Sequence, residues 1–154
     1  MAKERKPVYA VRSIVAVFRE FEQAAKQGEM NLTQYRFMLF LRNGPKRAGA
    51  IAATSFVTKA TVSGQITALR EKGWIAVESD HADRRVSRVV LTPEGRAAMD
   101  AFETRLLSCL EALIGPESDR PGIIAALSDL YVALGASRES RFGQPSPPPD
   151  EDAA

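Results

Sequence analysis

Between Thr58 and Arg88 the chain gathers side chains suited to hydrogen bonding and ion pairing with a polyanion. Thr61, Ser63, Gln65 and Thr67 carry short donors and acceptors, Ala60 and Gly64 lie among them, and Thr58 and Lys59 stand just ahead. Hydroxyls and an amide at this spacing can read base edges, while Ala and Gly permit close approach or contact with a thymine methyl. Arg84, Arg85 and Arg88 follow, and each guanidinium that neutralises a phosphate releases counterions. Covalent chemistry has little to work with. One His and one Cys assemble neither a zinc cluster nor a catalytic triad, and no Gly-rich loop precedes a Lys-Ser or Lys-Thr pair. No catalytic residue, metal or cofactor is therefore expected. His81 falls in a polar turn and reads as a solvated loop residue, and Cys109 falls on an apolar helical stripe and reads as a packed structural thiol.

These residues need a scaffold, and the pattern around them supplies one. Val62, Ile66 and Leu69 recur at helical spacing between Thr58 and Lys72, a stripe for docking on a core, while the opposite face is stripped to small residues. A solvated face normally carries long charged side chains; this one leaves room for something large. Thr58 is placed to cap the helix, Lys59 adds charge where the dipole favours phosphate, and Gly73 ends it. A short helix is expected over Ala50–Ala53, with Ser55-Phe56-Val57 as the turn between the two. Trp74–Ser79 reads as a strand, Asp80–Asp83 as a turn, and Ser87–Leu91 as a returning strand with Val89 and Leu91 on one face. Thr92 and Pro93 start the next helix. Helix, tight turn, helix and basic hairpin in this order predict a winged helix-turn-helix, whose second helix lies in the major groove of double-stranded DNA. In the hairpin, Arg85 is the candidate for the minor groove, oriented by Asp83, with Arg84 and Arg88 on phosphates.

The whole chain, at 154 residues, suits one protomer of a small oligomer. Its net charge of +2 includes −3 from Asp150, Glu151 and Asp152, so the remainder is +5. Lys46, Arg47, Lys59, Arg84, Arg85 and Arg88 cluster about the helix-turn-helix. Outside that unit three amphipathic helices are predicted. Val11, Ile14, Val15, Phe18, Phe21 and Ala25 mark the first, over about Val8 to Gln27. Met99, Phe102, Leu106, Cys109, Leu110 and Leu113 mark the second, ended by Gly115-Pro116. Ile123, Ile124, Leu127, Leu130, Tyr131 and Leu134 mark the third, closed by Gly135. They exceed what the small DNA-binding unit needs for its core, which points to an intermolecular bundle and a homodimer. The fold expected is mainly α with a small β wing, a winged helix-turn-helix with a helical dimerisation region. The expected division is 1–30 for an arm and dimerisation helix, 31–92 for the DNA-binding domain, 93–136 for dimerisation helices, and 137–154 for a disordered Pro-rich, acidic tail. No run approaches the roughly 20 apolar residues of a membrane span, and no signal region follows the charged N-terminus, so a cytoplasmic location is expected.

Asp83-x-Arg85 followed by Val89-x-Leu91-Thr92-x-x-Gly95 resembles the wing signature of the MarR family of transcriptional regulators. Leu32–Arg36 through Gly44-Pro45 is similar to that family's second helix and its exit, Thr58–Val62 to its recognition-helix start, and Glu71–Ile75 to its helix-to-wing junction. Phe56 and Gly64 depart from the pattern, standing where Gly and a base-reading Arg are common. The resemblance implies a two-fold dimer, a repressor's role, and a cleft between dimer helices and DNA-binding lobe that takes aromatic carboxylates or related anions. Arg12 and Arg19, seven apart on the first helix, are the candidate anchors for such an acid or its coenzyme A thioester, with Tyr35 and Phe37 as apolar walls. Two alternatives stand beside this reading: a redox-responsive regulator acting through Cys109, and a DNA-binding protein with no effector. The family's peroxide-sensing branch keeps its cysteine near the first helix, where this chain has none.

Overall fold

The computed structural model describes residues 6–55 and 58–142 and contains six helices and one hairpin among them. Helix α1 (Val8–Ala25) leads into α2 (Leu32–Leu39), α3 (Ala48–Ser55) and α4 (Lys59–Glu71). Strands β1 (Ile75–Ser79) and β2 (Ser87–Leu91) then form the hairpin, followed by α5 (Pro93–Leu113) and α6 (Arg120–Phe142). The fold is the expected one, mainly helical with a two-stranded wing.

Local chemistry sets these boundaries. Asn31 and Gln34 form a reciprocal capping box on α2, the Asn31 carboxamide accepting the Gln34 N–H at 2.8 Å while the Gln34 side chain accepts the Asn31 N–H at 3.2 Å. Thr92 caps α5, its hydroxyl oxygen accepting the Gly95 N–H at 2.9 Å. Gly73 stops α4 at φ +72°, a left-handed conformation that costs glycine little. The antiparallel register pairs Ile75 with Leu91 and Val77 with Val89.

The chain divides into two compact units, residues 1–113 and 114–154. The first holds the core: Met38, Leu41, Ile51, Val62, Leu69 and Met99 are fully buried, joined by Phe37, Trp74, Ile75, Val89, Phe102 and Leu106. Because Met99, Phe102 and Leu106 all enter this core, α5 belongs with α1 to α4. The segment 93–136, read above as one region, is thus shared between the two units. Beyond Leu106 the α5 stripe leaves the core: Cys109 is half-buried, not enclosed, and Leu113 is exposed. In α1 the expected stripe also splits. Phe21 and Ala25 pack inward, whereas Val11, Ile14, Val15 and Phe18 are at least half exposed.

The second unit is built on α6. Asp119 caps it, accepting the Gly122 N–H at 3.1 Å, and Ile123, Leu127, Leu130, Tyr131 and Leu134 are exposed along it. Gly135 does not close this helix, which runs on to Phe142 and so covers the start of the segment read as a disordered tail. A glycine costs a helix about 1 kcal/mol but ends it only where the backbone turns left-handed. Here Ala136 to Phe142, free of proline, carry the helix onward. The Pro-rich stretch from Gln144, like Phe56 and Val57 of the expected turn, lies outside the described residues.

Gly95 sits where a side chain has no room. A Cβ there would lie 2.0 Å from the Trp74 carbonyl oxygen, a backbone atom that cannot swing away. Gly95→Ala should therefore cost about 1–3 kcal/mol of folding stability, measured as a lowered midpoint in urea denaturation at unchanged slope.

Candidate nucleic-acid interface

Helix α4 stands on Val62 and Leu69, both buried, with Ile66 half-buried beside them. That anchoring turns the opposite face outward: Thr58, Lys59, Ala60, Thr61, Ser63, Gly64 and Thr67 are all exposed. Thr58 is the cap as expected, its hydroxyl oxygen accepting the Thr61 N–H at 3.2 Å and lying 2.9 Å from the Thr61 hydroxyl. The Thr67 hydroxyl donates to the Ser63 carbonyl at 3.2 Å, which leaves it able to accept from a ligand but not to donate. Gln65 differs from expectation. It is half-buried, and its side-chain oxygen is enclosed without a hydrogen-bond partner among the described residues, so the acceptor of its amide faces the protein. An added Cβ at Gly64 would meet nothing within 4 Å. Packing inside the protomer therefore gives no reason for glycine at that position.

The C-terminal end of α4 is pinned from the side. The Lys72 ammonium donates to the Glu29 carbonyl, lies 3.5 Å from the Gln34 side-chain oxygen, and sits 4.4 Å from the centre of the Trp74 ring. These contacts tie α4 to the start of α2 and to the root of the wing.

The wing tip is shaped by two aspartates. The sequence reading expected Asp83 to orient the Arg85 side chain; instead Asp83 accepts the Arg85 backbone N–H at 3.0 Å and folds the loop. Asp80 accepts the Ala82 N–H at 2.9 Å through one oxygen and the Arg88 Nε–H at 2.7 Å through the other. Arg47 approaches that second oxygen to 3.9 Å. Arg88 is thus held by Asp80, a constraint the sequence reading missed; the available signal was an aspartate at one end of a short turn and an arginine at the other. Asp80 is buried, and its carboxyl lies below the ordinary aspartate range. The Ala82 N–H is the main cause; burial opposes it, and Arg88 and Arg47 add attraction. Arg84 and Arg85 are exposed and have no ion pair among the described residues.

The wing also has a third, one-residue rung. Lys46 and Val89 exchange backbone hydrogen bonds of 3.0 and 2.8 Å, which fastens the segment before α3 to β2.

The candidate effector residues do not all come together. Arg12 and Arg19, both exposed, line one shallow groove of about 380 Å³ along α1 with Val11, Val15, Ala16 and Glu20. The Arg12 guanidinium lies 5.9 Å from the Tyr9 ring centre. Tyr35 and Phe37 are elsewhere. The Tyr35 hydroxyl donates to Glu103 at 2.7 Å, Arg42 donates to the same oxygen at 2.9 Å, and the Tyr35 ring stacks obliquely on Phe102 at 5.2 Å. Phe37 is a core residue, 6% exposed, because α2 must bury one face on the core; it offers no wall to a ligand. Among the described residues, no helix is long and apolar enough to cross a membrane.

Residues 29–86, which span α2 to the wing tip, match the model of the MarR family. The chain is 29% identical over 91 residues to the HTH-type transcriptional repressor YetL of Bacillus subtilis (strain 168), a match that covers 58% of this chain. It spans about half, 54%, of that relative's length. Among solved structures, Bordetella bronchiseptica BpsR, described for regulation of its DNA binding by 6-hydroxynicotinic acid, aligns with a TM-score of 0.57 at 24% identity, over 85% of this chain and 96% of that one. A mutant of S. aureus MepR bound to an oligodeoxyribonucleotide aligns with a TM-score of 0.62 at 22% identity, over 85% and 99%. At these identities the two structures establish the fold.

The lowered Asp80 carboxyl sets the pH dependence of the wing. A carboxyl held below its free value, about 3.8, contributes stability that is complete above that value and lost as pH falls through the lowered one. The Arg88 Nε–H resonance should therefore keep its bonded shift from neutral pH down to about 4 and lose it only in stronger acid. Loss of that shift near pH 6 in an NMR titration would contradict the geometry.

Proposed function

We propose that the chain is a member of the MarR family, a homodimeric, DNA-binding transcriptional repressor that a small anionic effector releases from a pseudo-palindromic operator. The observation that carries the DNA reading is the outer face of α4: small, exposed, open at Gly64, and adjoined by a wing tip with two exposed arginines. Thr61, Ser63 and Thr67 supply the base-reading groups, Ala60 and Gly64 the close approach, and Thr58 and Lys59 the phosphate contact at the helix start. Gln65 joins them through its amide nitrogen alone. Arg85 enters the minor groove, and Arg84 and Arg88 rest on phosphates. The relative named as a repressor and the DNA-bound structural neighbour support this reading.

The dimer rests on α1 and, separately, on α6. Each leaves a row of large apolar side chains uncovered, which a second copy of the chain would bury. Two recognition helices related by a two-fold axis then fall on half-sites about one helical turn apart. In the cytoplasm, the location this function implies, an aromatic acid or its thioester would be held by Arg12 and Arg19 along α1. Regulation of BpsR by 6-hydroxynicotinic acid supports an effector of this kind.

Gly64→Ala separates the DNA role from folding. Alanine should stabilise the protomer by about 0.5–1 kcal/mol, because helix propensity rises and nothing opposes the methyl. Affinity for an operator selected from random duplexes should fall about tenfold or more, the worth of one good base contact. A variant that is more stable and binds that operator unchanged would remove α4 from the groove. For the effector, Arg12→Ala should abolish release by a responsive aromatic acid in a gel-shift assay while operator affinity and sedimentation as a dimer persist. A normal response would place the anchor elsewhere.

A further inference from the structure

We infer that Arg47 and Arg88 form a paired guanidinium clamp for one backbone phosphate of DNA, with Asp80 as the residue that positions it. The inference rests on the DNA-binding reading above and extends the contact surface to the segment before α3, outside both the recognition helix and the wing tip.

The placement follows from backbone register. Lys46 pairs with Val89 in an antiparallel bridge, and carrying that register one step further sets Arg47 opposite Arg88. Two like charges directly across a sheet repel, so an arrangement that puts them there needs an anion. Asp80 supplies one oxygen to both, hydrogen-bonded to Arg88 at 2.7 Å and only in Coulombic reach of Arg47 at 3.9 Å. Glu78, the Cα partner of Arg88 across the hairpin, is exposed and makes no ion pair among the described residues. Each guanidinium has a fork of five N–H donors. Arg88 commits its Nε–H, and Arg47 commits none to a hydrogen bond among the described residues.

Their exposure suits this role. The Arg47 side chain is 59% exposed and that of Arg88 40%, whereas Asp80 is 8% exposed. The carboxylate is thus the buried base of the cluster and the guanidinium edges are its outer rim. A tetrahedral phosphate monoanion with two free oxygens matches two donor forks that share one anchor. Phosphate contacts of this type fix a protein's register on the duplex without reading its sequence.

The test measures binding of a short fluorescein-labelled duplex of mixed sequence by anisotropy across a salt titration. Arg47→Ala should lower the slope of log affinity against log salt by about 0.9, the loss of one phosphate contact, and weaken binding evenly across different sequences. Asp80→Asn separates positioning from charge. Removing a negative charge should tighten binding if Asp80 acts only electrostatically, whereas loss of alignment should weaken it, with recovery in Asp80→Glu. The amide spectrum of the hairpin in each variant reports whether the wing stays folded, and Arg47→Ala, altered on an exposed side chain, is informative whatever Asp80→Asn does to the fold. An unchanged slope in Arg47→Ala overturns the clamp, and tighter binding by Asp80→Asn overturns the positioning. Absence of salt-dependent binding by the unsubstituted protein would overturn the DNA reading itself, and the clamp with it.

Discussion

The unit formed by residues 1–113 turns on one close backbone approach, that of Gly95 to Trp74. Three elements meet there. Helix α4 ends at Gly73, the wing begins at Trp74, and the capped start of α5 comes back against both. The Thr92 hydroxyl donates to the Gly73 carbonyl at 2.7 Å, and the Thr92 N–H donates to the Trp74 carbonyl at 3.1 Å. That same hydroxyl oxygen accepts the Gly95 N–H. One threonine thus closes α4, the hairpin and α5 into a single joint. The Trp74 ring fills the space beneath it, 7% exposed and covered by Lys72. Because buried backbone groups must be paired, any slip of one element would orphan bonds in the other two.

Around this joint the charged residues are sorted by burial. Asp80 is enclosed and organises; Arg47, Arg84, Arg85 and Arg88 remain accessible at the rim. The wing is therefore more than a flexible basic loop. Its two aspartates bend the chain through backbone hydrogen bonds, and its root is paired on both sides, by β1 and by Lys46. A hairpin of only two strands is marginal alone, so this extra rung and the core residue Val89 account for its order.

Much of this was legible in the sequence because it is written in short-range chemistry. The Thr58 and Thr92 caps, the Gly73 stop and the Val62–Ile66–Leu69 stripe each depend on neighbours within a few residues, and all appear in place. Three features were not legible, for a common reason: they are decided by partners far along the chain. Phe37 could be apolar wall or core until the packing of α2 was known. That Asp80 takes the Arg88 Nε–H, leaving its other donors for phosphate, depends on a turn closing between them. Nothing near Lys46 announces a bridge to Val89. Gly135 misled in the opposite way, since glycine is permissive of a helix end and does not compel one.

The Glu103 oxygen that accepts from both Tyr35 and Arg42 has a mechanical consequence. Two donors from α2 and its exit are fastened to one point on α5, with the Tyr35 and Phe102 rings in contact alongside. Sliding α2 along α5 would break both bonds at once, so the pair behaves as a strut and not as a hinge. The Lys72 contacts extend this linkage from the start of α2 to the C-terminal end of α4. A tilt of the long helix would therefore carry α2, and with it the C-terminal end of α4, rather than let the two slide apart.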